Sequence, residues 1–268
     1  MPVKVICQTA LKMNRSFLTL VTLLVFIAEV SLLAVFPWVN SNAGYADMLK
    51  GLPDNMLMAF GMEGDVTNVN DYLYINFYNS IAIYIFMMVV IVLAVRLTAK
   101  LLGDTSLVYF LNASVSRKQF LMSQILVFKG VLFFLALVAF LGALVGKVFL
   151  PDQVFDFFDL AKINGELLAL FMLIGSLCLL LSVISDNSNQ ALAYSTPLVL
   201  YFYLADVFRK LSKQLDWLDY ATLFTVYDPD KICSNTHYFL MSSLVMVVAS
   251  LVVDYGAVVY FSKRDLYL

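Results

Sequence analysis

The chain has 268 residues, 62% of them hydrophobic and 13% charged, with a formal net charge of −2. A soluble domain carries about 45–50% apolar and about 25% charged residues, so a water-bathed globule is excluded and lipid must cover much of the apolar surface. The small net charge leaves no electrostatic footprint for nucleic acid. Cys7, Cys178 and Cys233 are too widely spaced for a disulfide framework or a zinc pattern.

Crossing about 30 Å of hydrocarbon takes about 20 mostly apolar residues. The first elements in chain order are a short amphipathic helix and then a span. Lys4, Gln8, Lys12 and Arg15 recur at helical spacing, with Val3, Ile6, Ala10 and Met13 on the other side. This predicts an interfacial helix over 1–16, its cations toward anionic lipid. The first apolar run, 17–37, is long enough to span. No small-x-small cleavage site follows it, so no secretory leader is expected. A loop over 38–75 comes next. Pro53 suits the first turn of a short helix there, with Met56, Leu57, Ala59, Phe60 and Met62 as its apolar face.

Five further apolar runs follow, at 76–96, 120–147, 165–184, 190–207 and 238–261. Gly142 and Gly146 form a GxxxG pair in the third, which serves close helix approach within one chain or between two. Ser185 to Asn189 is a tight polar turn, so the fourth and fifth runs form an antiparallel hairpin. Pro197 lies within the fifth. The fold class is therefore all-α: a single transmembrane domain over 1–268, a bundle of about six helices.

Lysine and arginine in short loops set the orientation. Lys4, Lys12 and Arg15 precede the first span with no acid among them. The 38–75 loop has Lys50 against Asp47, Asp54, Glu63, Asp65 and Asp71. Between the second and third spans stand Arg96, Lys100, Arg117 and Lys118 against Asp104. The next loop is acidic, with Asp152, Asp156 and Asp159. This pattern predicts a multi-pass protein of the cell membrane with both termini in the cytoplasm and 38–75 extracellular. Arg209, Lys210 and Lys213 run against it, since six spans place them outside; a re-entrant hairpin of the fourth and fifth runs is the alternative topology.

The chemistry that is missing narrows the function. The sole histidine, His237, stands at the start of the last span, so HExxH-type metal sites are excluded and no metal ligand set is expected. No GxxxxGK[ST] loop is present to cradle a nucleoside triphosphate, and no residue is a catalytic candidate. Charge at the bilayer centre costs at least about 2.5–3.5 kcal/mol, so ionisable residues within spans are candidate sites. Glu29 is a candidate for a translocation path. Lys129 and Asp254 form a candidate intramembrane pair, although Lys129 could instead snorkel into water.

The segment 97–119 is the most informative. Leu107, Val108, Phe110 and Leu111 make an apolar helical face too short to span, followed by a turn and the pair Arg117 and Lys118. A short helix lying along the membrane between two spans suits docking to a cytoplasmic partner. Gly103-Asp104-Thr105, the apolar helix and Val115-Ser116-Arg117 together resemble the connection between the second and third spans of ABC-transporter permeases of the type-2 exporter family. Ser114 stands where that family often has proline, and its acidic run is reduced here to Asp104. The likeness continues in the N-terminal helix, the Leu52-Pro53 helix of the large loop and the Phe261-Ser262-Lys263-Arg264-Asp265-Leu266 tail.

The resemblance implies a permease subunit that exports amphipathic compounds such as peptides or antibiotics. It implies a separate ABC ATPase subunit, a second permease chain, identical or homologous, and membrane lipid as partners. Asp104, Leu107, Val108, Phe110, Leu111, Arg117 and Lys118 would then couple to the ATPase. ATP and Mg would bind the ATPase and no cofactor would bind this chain, which alone is not an enzyme. A non-transporting structural or immunity protein and a secondary carrier are the competing readings.

Overall fold

The computed structural model describes residues 3–41, 51, 53, 56–57, 68–103, 115–151 and 153–264. Six helices among them are long and apolar enough to cross a membrane: α1 (Val3–Ser41), α2 (Val69–Leu102), α3 (Arg117–Phe149), α4 (Phe157–Ile184), α5 (Ser188–Leu211) and α6 (Thr236–Lys263). There is no strand among the described residues. Each helix is longer than the apolar run that announced it, because polar caps set the ends. Asn68, Ser116, Asp156, Asn187 and Asn235 each accept a backbone N–H of the first turn that follows. Such a side chain satisfies donors that have no partner inside the helix, worth about 1 kcal/mol. At Ser116 the Gln119 side chain returns the bond, completing a capping box.

The separate helix expected over 1–16 is not what forms. Val3–Ser41 is one helix of 39 residues, about 58 Å at 1.5 Å per residue, longer than the ~40–45 Å of a whole bilayer. The buried positions explain the continuity. Ile6, Ala10, Asn14, Val21, Val25, Glu29, Leu33 and Phe36 follow one another at three-, four- and seven-residue steps, a stripe running through both predicted elements. In the large loop, the Met56 and Leu57 amides both donate to the Pro53 carbonyl. The remaining residues named for that helix lie outside the described residues.

α4 is the central helix and packs against α2, α3, α5 and α6, while α1 rests mainly on α3. Phe86 and Phe171 meet across α2 and α4 with ring centroids 5.4 Å apart. Gly175 lets the α3 ring of Phe128 close on α4: a Cβ there would stand 2.5 Å from Phe128 Cε1. Gly142 and Gly146 lie against Glu29 and Leu33 of α1, so the GxxxG pair serves packing within the chain. Cys7 approaches the Ser123 carbonyl, so residues 7 to 33 run alongside 123 to 146 and the two helices are parallel.

Alternation follows for the rest. The beginnings of α1 and α3, the ends of α2, α4 and α6, and the α4–α5 turn share one end of the bundle, called here the terminal end. α4 and α5 are full-length helices joined by a short turn. At the opposite end, residues 212–235 fold back over the bundle in two 3-10 turns, Lys213–Tyr220 and Phe224–Val226, and a short helix, Pro229–Ser234. Phe224 fills the middle of this cover, 6.1 Å from the Phe171 ring and 6.0 Å from that of Tyr203.

Candidate functional site

The terminal end is tied across four helices. Arg117, the first residue of α3, donates to the Arg264 carbonyl at 2.6 Å. Arg264 in turn donates to the Val183 and Ser185 carbonyls and to the Asp186 carboxylate in the α4–α5 turn. A guanidinium at a helix C-terminus meets carbonyls that lack partners within the helix, and complements the negative end of its dipole. The end of α2 is fastened separately. Thr98 donates to the Ala94 carbonyl and lies 2.6 Å from Ser182 Oγ, and Ser182 reaches the Ala94 carbonyl at 3.1 Å. Arg96 stacks 4.8 Å over the Phe17 ring of α1. Lys118 is exposed on the first turn of α3. Asp104, Leu107, Val108, Phe110 and Leu111 lie outside the described residues; α2 ends and α3 begins at this same end.

About a third of the way into the bundle from its terminal end, Lys129 Nζ of α3 stands 2.7 Å from Asp254 Oδ2 of α6 and 2.8 Å from Ser250 Oγ. The two sequence positions therefore meet. Their side chains are 15% and 7% exposed, so the lysine points inward and does not snorkel. Glu29 is fully buried in the half nearer the 212–235 cover, and Tyr78 Oη donates to its Oε1 at 3.3 Å. Its Oε2 has no hydrogen-bond partner. Tyr78 belongs to the π-helical stretch Tyr74–Ile81 inside α2, a wider turn that recurs at functional sites.

Three further buried charged groups escaped the sequence reading. Glu166 of α4 is fully buried and bonded to Ser243 of α6, with Oε1 left unsatisfied. Lys162, one turn earlier, pairs with Asp159 and donates to the Cys233 carbonyl at 2.7 Å. Asp206 of α5 is 5% exposed and binds Arg209 and Lys210. All three lie toward ends of apolar runs, where a hydropathy window does not distinguish a boundary residue from an interior one; the Asp156 cap was the legible sign that α4 starts before residue 165.

The Asp206 cluster engages two of the three basic residues that run against the predicted orientation. Arg209 bonds Asp206 at 2.9 Å and Asp219 at 2.9 Å, and Lys210 bonds Asp206 at 2.7 Å. Two cations thus face two carboxylates, and little unpaired positive charge remains from Arg209 and Lys210 to favour a cytoplasmic position.

The 212–235 cover carries perturbed groups of its own. Burial pushes the Tyr227 phenol well above its ordinary range, with Tyr74, Glu166 and Cys233 adding to the effect. Burial, and then Asp159, pushes the Cys233 thiol up to about 11. The hydrogen bond from Lys231 to Asp228 raises the lysine. Tyr227 lies 6.3 Å from Tyr74 between ring centroids, and its hydroxyl is buried without a partner. Glu29 with Tyr78, and Glu166 with Tyr227, thus leave three unsatisfied oxygens inside a lipid-clad bundle, where water or a polar ligand is the natural complement. Among the described residues no group of three His, Cys, Asp or Glu could hold a metal ion.

No protein-family model, curated protein or solved structure matches the chain.

Proposed function

We propose that the chain is the transmembrane permease subunit of an ATP-driven exporter of amphipathic compounds, working with an ATPase on a separate polypeptide. The supporting observation is the terminal end. The connection carrying Leu107 to Leu111 opens where Arg117, Arg264 and Asp186 join α3, the α4–α5 turn and α6. A displacement of that connection by a partner would be carried into these helices together. ATP and Mg belong to the partner. The positive charges of this end, among them Lys4, Lys12, Arg15, Arg96, Lys100, Arg117 and Lys118, favour the cytoplasmic side of a cell membrane for it.

A second permease chain suits the outer face of α2 and α5. Tyr84 and Tyr203 join hydroxyls at 2.7 Å, and Tyr84, Tyr194 and Tyr201 are about half exposed. Tyrosine hydroxyls away from the headgroup layer favour a protein partner or an amphipathic cargo over lipid tails.

The test is co-purification with the neighbouring ATPase and transport by the reconstituted complex. Phe110→Asp should leave membrane insertion intact and abolish ATP-driven transport, because a charge in the apolar centre of an interface removes an anchor worth about 2 kcal/mol or more. ATP hydrolysis by the isolated chain would sink the proposal. Glu29 and Glu166, buried carboxyls that no ion pair among the described residues engages, favour a secondary carrier as the second reading. Transport driven by a proton gradient without any ATPase would select it.

A further inference from the structure

We propose that the groove between the first half of α1 and α3 binds one anionic phospholipid. This goes beyond the exporter reading and holds for a membrane protein of any activity. The groove has a volume of about 440 Å³, within the range of ~300–1,000 Å³ typical of small-ligand sites. Its walls are nearly all apolar and include Cys7, Leu11 and Leu18 of α1 and Gly130, Phe134 and Leu135 of α3.

The occupant is identified by what accompanies that apolar wall. Lys4, Cys7, Leu11, Arg15, Leu18 and Thr22 are spaced three or four residues, or multiples of a turn, apart. They share one stripe of α1, so Lys4 and Arg15 flank the groove. Both cations are exposed. A cation beside an apolar channel matches a phosphate headgroup beside its acyl chain.

The depth agrees. From Arg15 to Trp38 is 23 residues, about 35 Å at 1.5 Å per residue, close to the ~30 Å of hydrocarbon. Arg15 therefore lies near one headgroup layer, and Trp38 near the other, where tryptophan is enriched. A phosphate held near Arg15 sends its chain along Leu18, Phe134 and Leu135 toward the bilayer centre. Lipid tails gain little from leaving other tails for an apolar groove, so the headgroup contacts carry the selectivity.

Gly130 provides a means of closing the groove without disturbing the fold. No atom stands within 4 Å of a Cβ built there, so a larger side chain fills empty space. The full chain is purified in mild detergent and supplied with phosphatidylglycerol or phosphatidylcholine. Native mass spectrometry then counts the lipid retained per chain. The wild type should retain one phosphatidylglycerol in preference to phosphatidylcholine. Arg15→Gln should weaken that preference about fivefold, and Gly130→Leu should abolish retention with thermal stability unchanged. Equal retention of both lipids, or unaltered retention by Gly130→Leu, overturns the proposal. So does a lipid-free wild-type dimer that Gly130→Leu converts to a monomer, because a second copy would then fill the groove.

Discussion

Replacing Lys129 by methionine keeps most of the volume of the side chain and removes the charge that faces Asp254 at 2.7 Å. Asp254 is 5% exposed and its remaining neighbour in this cluster, Ser250, donates instead to the Val247 carbonyl. The carboxylate is left buried without a cation. Breaking a buried pair from one side costs about 3–5 kcal/mol, whereas replacing both partners with apolar groups is often neutral or better. Lys129→Met and Asp254→Leu should therefore each destabilise by about 3 kcal/mol, and the double variant by far less than their sum. The coupling then exceeds about 2 kcal/mol, well above the ~0.5 kcal/mol scatter of independent sites. The assay is reversible unfolding in mixed detergent micelles, followed by far-UV circular dichroism for all four proteins of the cycle. Additivity within about 0.5 kcal/mol would refute the inward pairing, and with it the idea that the pair fastens α3 to α6.

Other outcomes follow from the same contacts. Gly146→Ala should cost about 1–3 kcal/mol, because the new methyl would stand 2.9 Å from the rigid Cβ of Leu33; Gly130→Ala should be neutral or stabilising by up to about 1 kcal/mol, since nothing lies near its Cβ. Equal effects in a melting comparison would contradict the parallel packing of α1 on α3. Arg264→Gln should lower stability by about 1–3 kcal/mol, the cost of orphaned carbonyls at Val183 and Ser185, and should increase exchange of amides in the α4–α5 turn; an unchanged exchange map would show that the latch carries no load. Cys233, its thiol pushed up to about 11, should alkylate slowly at neutral pH. The folded value lies above the unfolded one, so its contribution to stability is complete below the ordinary thiol range and falls as the pH rises through about 11. A labelling inflection near 8.5, the value of a free thiol, would mean that residues 228–235 are not packed against α4.

The sequence by itself determined that this chain lives in lipid and crosses it with six helices, because length and apolar content are local properties that need no partner. It also held the helix starts, in Asn68, Ser116, Asp156, Asn187 and Asn235, since a cap is satisfied within a few residues of its own position. The cost of buried charge named Lys129 and Asp254 as a candidate pair but left the lysine free to snorkel instead; the inward contact was visible only in the packed helices. What only the tertiary structure decided was which faces touch. Leu244, Val248 and Leu251 of α6 are exposed while Leu167, Leu170 and Ile174 of α4 are buried, and hydropathy does not separate them. Lipid tails are as apolar as leucine, so the hydrophobic effect does not choose between a helix and the bilayer as neighbour. Close packing at Gly146 and Gly175, the long-range hold of Arg264 and the burial of Glu166 make that choice, and each depends on residues far apart in the chain.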